Sequence, residues 1–227
     1  MYIPMLKTRR EELSVSKEMN YCFSDDIIPL FEILTDRYET RYKIDPKTNL
    51  YIYETKGKRR RRIVEPPTDD DIITLDYIDG ILKNKKAFID YFRFSIKKYG
   101  TNIDVKRTDL ALRLSRDTEL YKNRVREVSE YENLIPVISV KQDFVFKKRD
   151  LAGFIEELQE DNDTIALRIT EEYLDTYSEI VEKQLRETDY LLFDIGEQKP
   201  RSKIMELQEL EELALDANIV LLNSPRR

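Results

Sequence analysis

Three acidic residues sit at or near the carboxyl ends of short apolar runs in this sequence: Glu32 after Ile28-Pro29-Leu30-Phe31, Asp90 after Ala87-Phe88-Ile89, and Asp194 after Tyr190-Leu191-Leu192-Phe193. Lys7 and Arg168 end comparable runs. Carboxylates gathered in a site of low dielectric suit general acid and base work, or hold a hard cation such as Mg²⁺ through oxygen ligands. Lys7 and Arg168 would bind an anionic group, the guanidinium being shaped for forked recognition of phosphate or carboxylate. Ser139, Lys141, Glu197 and Asn223 join this set as neighbours. The opposing reading is a self-neutralising ion-pair network that fills the site and binds nothing, since a buried unpaired charge costs several kcal/mol.

Other chemistries are excluded by residue type. The chain has no histidine, which removes Ser-His-Asp and Cys-His nucleophile systems, HExxH zinc sites and the zinc-deaminase signature. Cys22 is the only cysteine, so no intrachain disulfide or thiolate cage forms, and its apolar surroundings in sequence predict a buried thiol. Five widely separated glycines leave no GxGxxG or Walker loop.

Positioning such a set requires a regular frame. Seven strand-like runs, at Tyr2–Lys7, Ile27–Leu34, Ala87–Phe92, Leu134–Lys141, Ile165–Thr170, Tyr190–Gly196 and Ile219–Asn223, alternate with segments of helical spacing at Arg9–Tyr21, Asp69–Leu82, Lys106–Val128, Lys148–Gln159, Glu171–Arg186 and Lys203–Ala217. Thr68 and three aspartates predict a capped start for the second helix, and Asn84 with its neighbouring lysines predicts its end. The acidic runs Glu156–Asp163 and Glu206–Glu212 read as exposed helix faces and their exits. Strict strand–helix alternation predicts a parallel α/β sheet, and polar residues near the carboxyl end of every strand favour a TIM-like (β/α) barrel over a doubly wound sheet. Seven of the eight strands of such a barrel are visible, so an open edge must be covered by a further element or a partner. One domain over 1–227 is expected.

Period-two alternation places Ile3, Met5 and Lys7 on one face, and likewise Ile28, Leu30 and Glu32; Phe88, Asp90 and Phe92; Val137, Ser139 and Lys141; Ala166, Arg168 and Thr170; Leu192 and Asp194; Leu221 and Asn223. Lys7, Glu32, Asp90, Arg168 and Asp194 would then converge at the barrel mouth. After the second strand comes an insertion, 35–67, with ten Lys and Arg against five Asp and Glu; it carries +5 in a chain of total charge −6, which leaves −11 on the remainder. Within it, Tyr51-Ile52-Tyr53 leads through Gly57 to Lys58, Arg59, Arg60, Arg61 and Arg62, a predicted β-hairpin suited to phosphate contact and base stacking, to docking on an acidic partner, or to solvation alone. The longest apolar runs are strand-sized and no leader peptide is visible, which predicts a cytoplasmic chain with no membrane contact.

The opening Met1-Tyr2-Ile3-Pro4-Met5-Leu6-Lys7, then Arg10-Glu11-Glu12-Leu13, then Ile28-Pro29-Leu30-Phe31-Glu32-Ile33 resembles the phage-type beta-protein family, whose pattern is a YxPxLK start, a Glu-rich first helix and a PLxE second strand. The resemblance extends through the strands bearing Asp90, Leu134-Ile135-Pro136-Val137, Leu167-Arg168-Ile169 and Phe193-Asp194-Ile195-Gly196. It implies a longer parent with a last strand and helices, and a setting in phages or bacterial mobile and antiphage-defence regions, sometimes beside a nuclease-like gene. It brings no assigned reaction, and the basic hairpin is not part of it. The sequence therefore predicts binding of a phosphorylated or nucleotide-like ligand at the mouth, with metal-assisted hydrolysis as one chemistry the set suits. The alternatives are a non-enzymatic subunit docking a protein partner such as that nuclease, and nucleic-acid binding through the hairpin.

Overall fold

The computed structural model describes residues 1–57, 59–94, 108–213 and 215–223. Seven parallel strands form one sheet: β1 (Met5–Lys7), β2 (Leu30–Ile33), β5 (Ala87–Tyr91), β6 (Leu134–Val140), β7 (Ala166–Thr170), β8 (Tyr190–Asp194) and β9 (Asn218–Leu222), hydrogen-bonded in that order. The remaining strands, β3 (Tyr53–Lys56) and β4 (Arg59–Arg62), make an antiparallel hairpin with Gly57 at φ +67°, a left-handed turn that glycine adopts without strain. Seven helices are described: α1 (Arg10–Glu18), α2 (Thr74–Leu82), α3 (Asp109–Arg116), α4 (Thr118–Glu127), α5 (Lys148–Asp161), α6 (Leu174–Gln184) and α7 (Ile204–Glu212). None is long and apolar enough to cross a membrane.

The sheet curls. Arg168 on β7 and Glu32 on β2 are three strands apart, about 14 Å in a flat sheet, yet their side chains meet at 2.8 Å. The architecture is a TIM-like partial barrel with β1 and β9 at its open edges. Because the crossover helices cover one face and the curl encloses the other, β2, β5, β6 and β7 are buried throughout. The larger core lies between sheet and helices. A smaller one, built from Ile3, Leu30, Phe88, Val137, Leu192 and Leu222, fills the interior of the curl, and the ring of Phe88 within it meets that of Tyr190 edge to face at 5.0 Å.

Several boundaries differ from the sequence reading. The helix expected over Lys106–Val128 is two helices, because Asp117 takes an extended backbone and accepts a hydrogen bond from the Leu120 amide as the N-cap of α4; residues 106 and 107 lie outside the described residues. Thr68 and Asp71 form a capping box on a single 3₁₀ turn (Asp69–Asp71) ahead of α2, and Lys83 and Asn84 leave that helix at positive φ. The helix expected over Lys203–Ala217 stops at Glu212, with residue 214 outside the described residues. Cys22 ends a 3₁₀ turn and is half-exposed rather than buried.

Candidate functional site

Arg168 is the hub of the mouth. Its Nη1 donates to Glu32 Oε1 at 2.8 Å and to Asp90 Oδ2 at 2.6 Å, and its Nε and Nη2 donate to Asp194 Oδ2 at 3.0 and 2.6 Å. All four side chains are nearly inaccessible to solvent. Burial disfavours the guanidinium charge, but Asp194, Glu32 and Asp90 outweigh it and hold its pKa well above the ordinary value. Two of the three carboxylates are also held from behind. Ser139 Oγ donates to Asp90 Oδ1 at 2.7 Å, and the Gly196 amide donates to Asp194 Oδ1 at 2.8 Å, across a turn that Gly196 closes at φ +61°. The Ser139 amide is itself anchored on Tyr121 Oη at 2.9 Å; burial pushes that phenol up to about 12.

Above this cluster opens a cavity of about 1000 Å³, lined by Lys7, Arg9, Glu32, Phe92, Arg93, Phe94, Lys141, Arg168, Thr170 and Asp194 and flanked by the edges of β1 and β9. Glu32 Oε1 is taken by Arg168, whereas Oε2 accepts no hydrogen bond among the described residues. Lys7 and Lys141 have no carboxylate within ion-pair distance among those residues. Lys141 Nζ lies 3.9 Å from the centroid of Phe92. Burial pushes its pKa down to about 8; Asp90 and Glu32 oppose that shift, and Arg168 and Arg93 add to it.

The set proposed from sequence divides accordingly. Lys7, Glu32, Asp90, Ser139, Lys141, Arg168 and Asp194 come together. Glu197 is exposed and lies outside the cavity lining. The face assigned to the last strand is shifted by one residue: the register pairs Asp194 with Leu222, so Val220 and Leu222 point inward while Leu221 is 37% exposed. Asn223 therefore leaves the inward face, but it still lines the edge of the cavity, where its Nδ2 donates to the Gln198 carbonyl at 2.7 Å. Among the described residues no group of three or more acidic, cysteine or histidine side chains is arranged to hold a metal ion. The three carboxylates point at Arg168, whose guanidinium stands where Mg²⁺ would be required. The arginines of the hairpin form β4 on a separate ribbon, away from the cavity lining, and Lys58 lies outside the described residues.

Arg93, which the sequence reading passed over, is 3% exposed and lines the same cavity. Its Nη2 donates to the carbonyls of Ser139 and Phe144, and its guanidinium lies 4.0 Å from the centroid of Tyr121, bracing the end of β6. The available signal was a charged residue at an outward position two residues after a buried strand.

Comparison with known proteins gives one match. No curated protein and no solved structure matches the chain. A family model described as Beta protein matches residues 2–224. Since that span takes in β1 through β9 and nearly every residue, the chain belongs to the Beta protein family.

Proposed function

We propose that the barrel mouth binds a phosphorylated, nucleotide-like small molecule. One observation carries the reading: the ionic cluster does not fill the mouth but floors a cavity of about 1000 Å³, at whose wall Lys7 and Lys141 have no carboxylate partner among the described residues. A network whose role was only structural would close on itself, because a buried ion pair stabilises only when its desolvation is fully offset. The two ammonium groups suit a phosphate as point charges. Phe92 and Phe94 offer apolar wall to a ring, and Glu32 Oε2 suits a hydroxyl or water proton. Arg168 chiefly orients the carboxylates, as four of its five N–H donors are already engaged. The setting we propose is that of a phage or antiphage-defence protein.

The test is thermal stabilisation by nucleotides, sugar phosphates and inorganic phosphate, since a ligand bound only by the folded state raises Tm. The expected result is a shift with a phosphorylated ligand that falls in Lys141→Met and Lys7→Met while the Tm without ligand is retained. No shift with any of them overturns the reading. Release of inorganic phosphate that Glu32→Gln abolishes would extend it from binding to hydrolysis.

A second reading, docking of a protein partner, rests on the open edges, where Tyr2 beside β1 and Ile219 and Leu221 on β9 are exposed. It predicts no ligand shift and a complex lost on Ile219→Asp.

A further inference from the structure

The insertion after β2 is more than a charged loop. Beyond the β3–β4 hairpin, Tyr42 bridges Val64 and Ile44 bridges Tyr51, and the Lys43 amide donates to Ile63, so three segments form a small meander. Its register sorts side chains by face. Tyr53 lies opposite Arg62 and Thr55 opposite Arg60, so Tyr42, Tyr51, Tyr53, Arg60 and Arg62 share one side. On that side the guanidinium carbon of Arg60 lies 4.2 Å from the centroid of Tyr53, and that of Arg62 lies 4.2 Å from Tyr51 and 5.4 Å from Tyr42. Every residue of β4 is exposed, and no carboxylate lies within ion-pair distance of Arg59 to Arg62 among the described residues. The remainder of the chain carries −11, yet none of its carboxylates pairs with the arginines of β4 among the described residues.

We propose that this face binds single-stranded nucleic acid. A guanidinium held over a tyrosine ring sets a phosphate-binding cation against an aromatic surface. Arg62 spends part of its N–H capacity on the Tyr53 hydroxyl and keeps the rest for phosphate, and stacking of bases on aromatic rings and guanidinium planes is how unpaired strands are held without sequence readout. The stacking fixes both arginines before any ligand arrives, so less side-chain freedom is lost on binding. Arg59 and Arg61, on the opposite side of β4, add charge along the same strand. An acidic protein would be drawn by the same charges but has no use for stacked planes, which is why nucleic acid is favoured. The stem leaves the carboxyl end of β2 and is tied to the turn before α2 by the Arg41–Asp71 ion pair and the Glu39 amide on the Asp71 carbonyl, so the arm issues from the same end of the barrel as the mouth.

The experiment is fluorescence anisotropy of the intact chain with a labelled mixed-sequence 16-nucleotide single strand, the matching duplex, and a polyglutamate peptide. The expected result is single strand tighter than duplex and polyglutamate, with log K falling linearly against log salt at a slope of roughly −3 for about four phosphates. Arg60→Ala with Arg62→Ala should weaken binding about tenfold or more. Arg60→Lys with Arg62→Lys keeps the charge and removes the plane, so affinity should drop while the salt slope stays. Barrel Tm should be unchanged in both variants, which separates lost contacts from lost fold. Duplex or polyglutamate bound as tightly as the single strand, full binding by the double-lysine variant, or no binding at 50 mM salt would each overturn the proposal.

Discussion

Two buried carboxylate networks stand at opposite ends of the same barrel and are built on different terms. At the amino-terminal end Asp189, fully buried, accepts from the Ile165 and Arg186 amides at 2.9 Å each, from Gln159 Nε2 at 2.7 Å, and from Arg186 Nε and Nη2 at 3.3 Å each. One carboxylate meets one guanidinium, the other donors are neutral, and Asp189 lies outside the lining of the mouth cavity. At the mouth three carboxylates share one guanidinium, acidic charge is in excess at the floor, and cations line the wall above. The base network ties the start of β7 to the turn before β8 and closes on itself. The mouth network leaves hydrogen-bonding capacity open where a ligand can use it, the pattern expected of a site that gives up stability for binding.

Removing the hub should have the largest effect on the molecule. Arg168→Ala leaves three carboxylates buried without their cation and should cost about 3–5 kcal/mol, read as a lower urea midpoint at unchanged m; a loss under about 1 kcal/mol would mean the cluster is solvated rather than buried. Because this loss is expected whether or not a ligand binds, Arg168 cannot separate a site from a plug, and the rim residues must. Next in size is Asp189→Asn, where one oxygen has to serve donors that two now satisfy. It should cost about 1–3 kcal/mol and leave any ligand-induced rise in Tm intact. A ligand response lost in Asp189→Asn would break the division between the two ends.

The same contrast explains what could be read in the chain. On β2, β5, β6 and β7 polar residues interrupt apolar alternation, so Glu32, Asp90, Ser139 and Arg168 declare their shared face through period-two spacing alone. On β9 the sequence Ile219-Val220-Leu221-Leu222 is apolar at every position, and only pairing with β8 decides that Val220 and Leu222 turn inward. Lacking that contrast, the residues alone put Leu221 and Asn223, rather than Val220 and Leu222, on the inward face. The Asp189 network was legible in principle, since Arg186 lies three residues before it, but both sit in a turn where strand and helix periods say nothing. Arg168 and Glu32 are 136 residues apart, so their ion pair follows only once the sheet is known to curl. Spacing also gives no hint that Arg168 would take the place of a metal among the carboxylates.

Two smaller effects sharpen the contrast at the rim. Glu32→Gln keeps a neutral acceptor for Arg168 and reduces the excess of negative charge at the floor, so it should cost only about 0.5–1.5 kcal/mol, while weakening a ligand whose hydroxyl needs the free carboxylate oxygen. The last prediction concerns Lys141, whose pKa falls to about 8 because burial opposes its charge more than Asp90 and Glu32 support it. The unfolded chain holds this proton to a higher pH than the folded one, so between about pH 8 and the ordinary lysine value the unfolded state binds more protons and stability should rise with pH. Anion binding should run the other way, because it needs the ammonium form: affinity for a phosphorylated ligand should fall by about tenfold for each pH unit above the pKa of Lys141. Lys141→Arg, which stays charged, should flatten both profiles. A phosphate affinity that is level from pH 7 to 9 in the unsubstituted chain would remove Lys141 from the binding wall and make the mouth resemble the base network, closed and structural.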